Sequence, residues 1–206
     1  MDNQKPTIAA FDFDGTLTYR DSLLPFLLFD QGSWQFTLKM IRVSPVLAAY
    51  AFKLIRNDRA KEILLKTFLG GRSLSEIEAS GGRFAATQIQ SMLKPEAWER
   101  FLWHKSQGHV CVLVSASLVH YLAPWASKAG FDHVIGSSLA TDDQGVVSGK
   151  LHGGNCYGDQ KAKRIREWLG GTEAIVYAYG DSRGDRELLE MADHPFYRIM
   201  PRGEPR

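Results

Sequence analysis

Two cysteines, Cys111 and Cys156, are all that the 206-residue chain carries. A disulfide framework is thereby excluded, and a reducing compartment is expected. Cys111, in "HVCVLVSAS", reads as a small core residue, and Cys156, in "GGNCYGDQK", as a loop residue. The six histidines show no zinc-ligand spacing. Net charge is only +2 and no DNA- or RNA-binding motif is present, so no nucleic-acid partner is expected. Long apolar runs are missing too. The most apolar stretch, "VSPVLAAYAFKLI", carries Lys53 inside it, whereas a spanning helix needs ~20 apolar residues. The opening "MDNQKPTIAAFDF" lacks the apolar block of a signal peptide. A cytoplasmic protein is the expectation. There is no internal repeat and no low-complexity segment.

What remains is an ordinary globular composition, 44% hydrophobic and 23% charged. The length suits one large domain or a core with an inserted cap. Residues 7–13, "TIAAFDF", read as a buried strand stopped by Gly15. From Ser22 to about Lys94 every pattern is helical. "LLPFLLFDQG" ends at a C-cap Gly32, and "SWQFTLKMIRV" breaks before Pro45. "VLAAYAFKLIRN", "RAKEILLKTFLGG" and "SLSEIEASGGRFAATQIQSML" complete the stretch. Strands and helices then alternate. "KPEAWERFLWHKSQG" reads as a helix with Pro95 near its start and a stripe at Trp98, Phe101 and Leu102. Strand "HVCVLVSAS" leads, with Ser117 as N-cap, into helix "LVHYLAPWASKAG", which Pro124 kinks or shifts. "FDHVIGSS" is a strand, "LATDDQGVVSGKLHG" a hairpin turning at 143–145, and "DQKAKRIREWLGG" a helix. "EAIVYAYGDS", "DRELLEMAD" and "PFYRIM" give a strand, a helix and a last short strand. This alternation predicts an α/β fold: a Rossmann-like parallel sheet with helices on both faces, plus an inserted all-helical cap. The expected division is 1–20 and 95–206 for the core and 21–94 for the cap.

Ligands of open α/β sheets bind at the carboxyl ends of the strands. Asp12 and Asp14 end the first strand, Ser115 the second, and Asp181 a later one. Strand alternation starts Asp12 and Asp14 on one side, and Gly15 lets the backbone turn away. Two close carboxylates need counter-charge. Lys161 is one source. A hard divalent cation is another, with oxygen ligands from Asp12 and Asp181 and a supporting role for Asp185. Carboxylates, a lysine, a hydroxyl and glycines suit magnesium and phosphate. Taken singly each residue has a plain role: a turn Asp, a solvated lysine, a helix-start charge.

"DFDGT", a strand ending in "VLVSAS", the lysine of "GDQKAK" and "GDSRGD" occur together in the order of the haloacid dehalogenase superfamily. The chain resembles that superfamily from residue 8 to about 193. The resemblance implies a phosphatase in which Asp12 is the nucleophile and Asp14 the acid and base. It implies that Ser115 and Lys161 hold the phosphoryl oxygens, with Thr16 and Ala116 beside them. Mg²⁺ would be held by Asp12, the carbonyl of Asp14, and Asp181, with Asp185 behind. Dehalogenases proper lack an acid/base at the position of Asp14, so its presence implies phosphoryl chemistry.

A helical cap with Gly-Asp-x-x-x-Asp resembles the phosphoserine phosphatase-like branch, subfamily IB, where Asp21 matches the residue that grips the substrate amine. The chain departs from that enzyme at Ala116-Ser117 and at Gly184. "LIRNDRAKEILLKTFLGGRS", "CYGDQK" and the closing "PRGE" instead resemble a subgroup that includes phosphatidylglycerophosphatase C. Residues 34–72 carry eight basic residues, Lys39, Arg42, Lys53, Arg56, Arg59, Lys61, Lys66 and Arg72, against Asp58 and Glu62. Interleaved with Trp34, Phe36, Tyr50 and Phe52, this local +6 suits an anionic membrane surface, with solvated cap charges as the plain alternative. The expected substrate is a phosphorylated small molecule or a phospholipid headgroup, and nothing calls for an obligate protein partner. A non-enzymatic phospho-acceptor and a degenerate binding module are the readings from other classes.

Overall fold

The computed structural model describes residues 5–201. The first four residues of the opening segment, and all but Pro201 of the closing "PRGE", lie outside them. Six strands form one sheet: β1 (Thr7–Phe11), β2 (Val110–Leu118), β3 (His133–Thr141), β4 (Val147–His152), β5 (Ile175–Gly180) and β6 (His194–Tyr197). Their order is β4-β3-β2-β1-β5-β6, and all neighbours are parallel except the β3–β4 hairpin. That hairpin turns where expected: Gly145 donates its N–H to the Asp142 carbonyl.

Alternation along β1 builds the two faces. Ala9 and Phe11 join a buried cluster with Phe101 of α5 (Pro95–Ser106) and Tyr121 of α6 (Val119–Ala129). Ile8 and Ala10 pack oppositely, with Ile165 of α7 (Asp159–Leu169) and Leu188 of α8 (Arg186–Glu190). Helices thus cover both faces, as the alternation predicts.

Four helices lie between β1 and α5: α1 (Leu23–Gln31), α2 (Ser33–Ala51), α3 (Asn57–Leu69) and α4 (Leu74–Thr87). They bind to the core through an aromatic cluster of Phe26, Phe84 and Tyr121, with centroids 4.9–5.5 Å apart. All three rings are buried, each contributing about 1.5–3 kcal/mol by burial. No helix among the described residues is long and apolar enough to cross a membrane.

Four local expectations need correction. The first strand ends at Phe11, two residues early, because the chain turns through Phe13–Leu17 and Thr18 closes back on the Phe13 carbonyl. No break precedes Pro45, and α2 runs through it. Pro45 has no N–H for the Ile41 carbonyl, and Ser44 Oγ donates to that carbonyl instead, at 2.8 Å. Leu102 on α5 is exposed, while Arg100 and His104 turn inward with Phe101. Their polar tips meet the Tyr179 hydroxyl, Arg100 Nε at 2.6 Å and His104 Nε2 at 2.8 Å. Ser117 does not cap α6, whose N-cap Leu118 makes no side-chain cap bond. Pro124 lies inside α6, which continues to Gly130. Cys156 is in a loop as expected, yet it is buried like Cys111, and both thiols are free.

Candidate active site

The carboxyl ends of β1, β2 and β5 converge on a cavity of about 430 Å³. Asp12, Asp14, Asp21, Ser115, Ala116, Lys161 and Asp181 all line it. Asp12 directly follows β1, and its N–H still bonds the Tyr179 carbonyl at 2.9 Å. Its carboxylate is buried and meets Lys161 Nζ, delivered by the first turn of α7. Lys161 also donates to Asp185 Oδ1. The other oxygen of Asp185 accepts from the N–H groups of Asp181 and Ser182 and from Ser182 Oγ, at 2.8–3.2 Å. Asp185 therefore fixes both the lysine and the loop that carries Asp181.

One lysine faces two buried carboxylates, so the site holds excess negative charge. Burial pushes the Asp12 carboxyl up to about 7, against the pull of Lys161 and with that of Asp185. Although burial opposes it, the charge on Lys161 is held firmly by Asp12 and Asp185. Burial and Asp185 also raise Asp181.

Asp14 takes different partners from Asp12, since the strand has already ended. Its Oδ1 accepts the Ser22 N–H at 2.8 Å and its Oδ2 accepts the Ser117 hydroxyl. Ser22 Oγ lies 3.3 Å from Ser117 Oγ and 2.9 Å from the Tyr121 hydroxyl. Burial and the charge of Asp21 push the Asp14 carboxyl up to about 6, opposed by the two serines. Ser115 Oγ accepts the Ser117 N–H at 3.0 Å. Asp21 accepts the N–H groups of Leu23 and Leu24, so its carboxylate also caps α1. Thr16 does not line the cavity; its hydroxyl donates to Asp181 Oδ1 at 3.3 Å.

The residues fit a hard divalent cation. Oxygens of Asp12, Asp181 and Asp185 lie within 4.8 Å of one another, with no sulfur or imidazole among them. Gly15 keeps the space clear: a Cβ there would stand 2.7 Å from Asp181 Cγ.

Sequence reasoning passed over Ser22, Tyr121 and the supporting role of Ser117. It also counted Lys61 only as a cap charge. Lys61 Nζ in fact reaches the Ala116 carbonyl and Asn155 Oδ1, and burial brings its ammonium down to about 8. The available signal was helical spacing: Asn57, Ala60, Lys61 and Leu64 share one face of α3, and all four line the cavity. Lys39 and Arg72 leave the basic cap surface as well, bonded to Gln31 and the Phe68 carbonyl and to Asp30.

Residues 9–190 match the haloacid dehalogenase-like hydrolase family. Protein CicA of Caulobacter vibrioides is 38% identical over 202 residues, 98% of this chain and 89% of that protein. A protein of unknown function from Bordetella pertussis Tohama I superposes with a TM-score of 0.78 at 27% identity, covering 91% of this chain and 87% of the other. A substrate-bound phosphoserine phosphatase shares the fold, with a TM-score of 0.61 at 17% identity over 92% of this chain and 84% of its own. With its motif carboxylates and lysine gathered at one strand edge, the chain belongs to the haloacid dehalogenase-like hydrolase family.

Proposed function

We propose that this hydrolase is a phosphatase that cleaves phosphomonoesters through an aspartyl-phosphate on Asp12. The observation that carries the reading is the separate support of two neighbouring carboxylates in one cavity. Asp12 is held against Lys161, and Asp14 by Ser22 and Ser117. Asp12 Oδ attacks phosphorus as the ester P–O bond breaks, and Asp14 gives its proton to the departing alkoxide. Asp14 then takes a proton from water, whose oxygen attacks the same phosphorus. Inorganic phosphate leaves and the Asp12 carboxylate is restored. Ser115 and Lys161 offset the phosphoryl charge. Asp12, Asp181 and the Asp14 carbonyl would hold Mg²⁺, with Asp185 supporting them. When bound, the ion offsets negative charge on the phosphoryl group.

Leu23, Leu47, Tyr50, Ala60 and Leu64 wall the cavity on the cap side, where the leaving group would lie. One reading is a small soluble phosphate, as in the phosphoserine phosphatase-like branch. A second is a phospholipid phosphate such as phosphatidylglycerophosphate, favoured by the outer face of α2. Trp34, Leu38, Ile41, Pro45, Ala48 and Phe52 recur at alternating spacings of four and three, all exposed, with Trp34 at 72% and Phe52 at 77%. Arg42, Lys53 and Arg56 flank this stripe, and no acid occurs between Asp30 and Asp58. Phosphate release from sugar phosphates, phosphoserine, nucleotides and vesicle-borne phosphatidylglycerophosphate, with and without Mg²⁺, tests the reading. Sustained Mg²⁺-dependent release from one class supports it and identifies the substrate. A single turnover without release would point to a phospho-acceptor, and no reaction to a binding module.

A further inference from the structure

We propose that Tyr157 and Tyr50 clamp a planar ring in the alcohol part of the substrate, at the mouth of the catalytic cavity. The inference rests on the phosphomonoesterase reading and deepens it by naming a class of alcohol.

Of the described residues that line the cavity, Asp21, Tyr50 and Tyr157 are the exposed ones, so they mark its mouth. Asp21 precedes α1 and Tyr50 lies on α2, whereas Tyr157 lies between β4 and α7, on the core side. Asp12 and Lys161, which would hold the phosphoryl group, are buried. The alcohol part of a bound ester therefore points from them towards this rim. Asp21 is engaged there with the N–H groups of Leu23 and Leu24. The two tyrosines instead keep 41% and 39% of their surface exposed, Tyr50 and Tyr157 respectively. Each offers a ring face that a bound group can cover.

Both rings are fixed before anything binds. Tyr157 packs on the bare backbone of Gly184, where a Cβ would stand 2.7 Å from ring atom Cδ2 and 2.9 Å from Cζ. Its loop is tied down beside the contact, since the Gly158 N–H donates to the Gly184 carbonyl at 3.0 Å. Tyr50 is held by its hydroxyl, which accepts from Asn57 Nδ2 at 3.0 Å. Asn57 Oδ1 in turn accepts from Asn155 Nδ2 at 2.9 Å, two residues before Tyr157. One chain of contacts thus links the two rings across the cleft between cap and core. Groups ordered in advance lose little freedom when a ligand arrives. An aromatic face gains most from a flat ring, stacked or edge-on. Leu23, Leu47 and Leu64 continue the apolar surface below the rim.

Two primary alkyl phosphates that differ by a ring test the clamp with the whole protein and Mg²⁺: 2-phenylethyl phosphate and ethyl phosphate. Wild type should favour the phenyl ester by about ten- to hundredfold in kcat/KM, the product of two aromatic contacts. Tyr157→Ala should reduce that preference about three- to tenfold, chiefly through KM, and Tyr157→Phe should retain it. Gly184→Ala should act like Tyr157→Ala, because the new Cβ displaces the ring, and combining the two should add little. Equal handling of the two esters by wild type overturns the proposal, and so does a uniform loss on both in Tyr157→Ala. The wild-type preference decides even if Gly184→Ala fails to fold. No phosphate release from either ester or from p-nitrophenyl phosphate would overturn the phosphatase reading and the clamp with it. Release without a ring preference would overturn the clamp alone.

Discussion

Gly15 and Asp181 are packed so closely that the carboxylate occupies the space a Cβ on residue 15 would need. Gly15 also has φ of +83°, a conformation that costs any other residue. The approach brings the end of β5 against the turn that follows β1. Gly15→Ala should therefore displace Asp181 and lower kcat on p-nitrophenyl phosphate about 100-fold, the scale of an ångström-sized misplacement. Steady-state kinetics beside a thermal melt would check this. Wild-type turnover would mean that the Asp181 loop moves freely.

Lys161 pairs with two buried carboxylates at once. Lys161→Met should cost about 3–5 kcal/mol, because the partners stay buried without their cation. Urea unfolding at pH 8, without added divalent cation, measures the loss. A change below about 1 kcal/mol would contradict the assigned pairing, since surface ion pairs fall in that range.

Much of this was legible in the sequence because the relevant signals are local. The βα alternation, Gly32 ending α1 and the hairpin turn at 143–145 depend on residues near one another in the chain. Asp12, Asp14, Ser115 and Asp181 are legible because strand ends converge in a parallel sheet, whereas Lys161 and Asp185 rest on the counter-charge two close carboxylates need and on the motif resemblance. Partnerships across the fold were not legible. Ser117 reads as an N-cap in sequence, yet its hydroxyl donates to Asp14, 103 residues away in the chain. Thr16 adjoins the motif carboxylates in sequence, yet its hydroxyl serves Asp181. Pro45 predicts a break wherever nothing else satisfies the freed carbonyl, and here Ser44 does so. Lys61 resembled a solvated cap charge because its acceptors, at residues 116 and 155, come from distant parts of the chain.

His104 is buried with Nε2 on the Tyr179 hydroxyl and Nδ1 2.7 Å from His109 Nδ1. Burial, then the charges of Arg100 and His109, lower its pKa to about 3. The unfolded chain takes up a proton on this side chain near pH 6.5, whereas the folded protein does not until about pH 3. Its stabilising contribution is thus complete above pH 6.5 and is lost as pH falls towards 3. The stability difference between wild type and His104→Gln isolates this residue from the carboxylates. Wild type should lose ground by up to about 1.4 kcal/mol per pH unit below pH 6.5. A pH-independent difference between pH 7.5 and 5 would contradict the buried neutral imidazole.

Reversing Arg42, Lys53 and Arg56 to Glu tests the lipid reading of α2. Each basic residue near an anionic bilayer contributes about 1 kcal/mol, screened by salt. The triple variant should bind anionic vesicles far more weakly than wild type, and its turnover of vesicle-borne phosphatidylglycerophosphate should fall much more than that of p-nitrophenyl phosphate. No salt-sensitive vesicle binding by wild type, with efficient turnover of a soluble ester, would leave the cap as a specificity lid.

Nucleophilic attack by Asp12 is the centre of the account, and trapping the phosphoenzyme tests it most directly. Wild type is mixed with Mg²⁺ and a ³²P-labelled phosphomonoester, quenched in acid within a turnover, and the labelled peptide is mapped. The account predicts a hydroxylamine-sensitive acyl phosphate on Asp12, absent along with turnover in Asp12→Asn. Label on another residue, or wild-type turnover by Asp12→Asn, would contradict it.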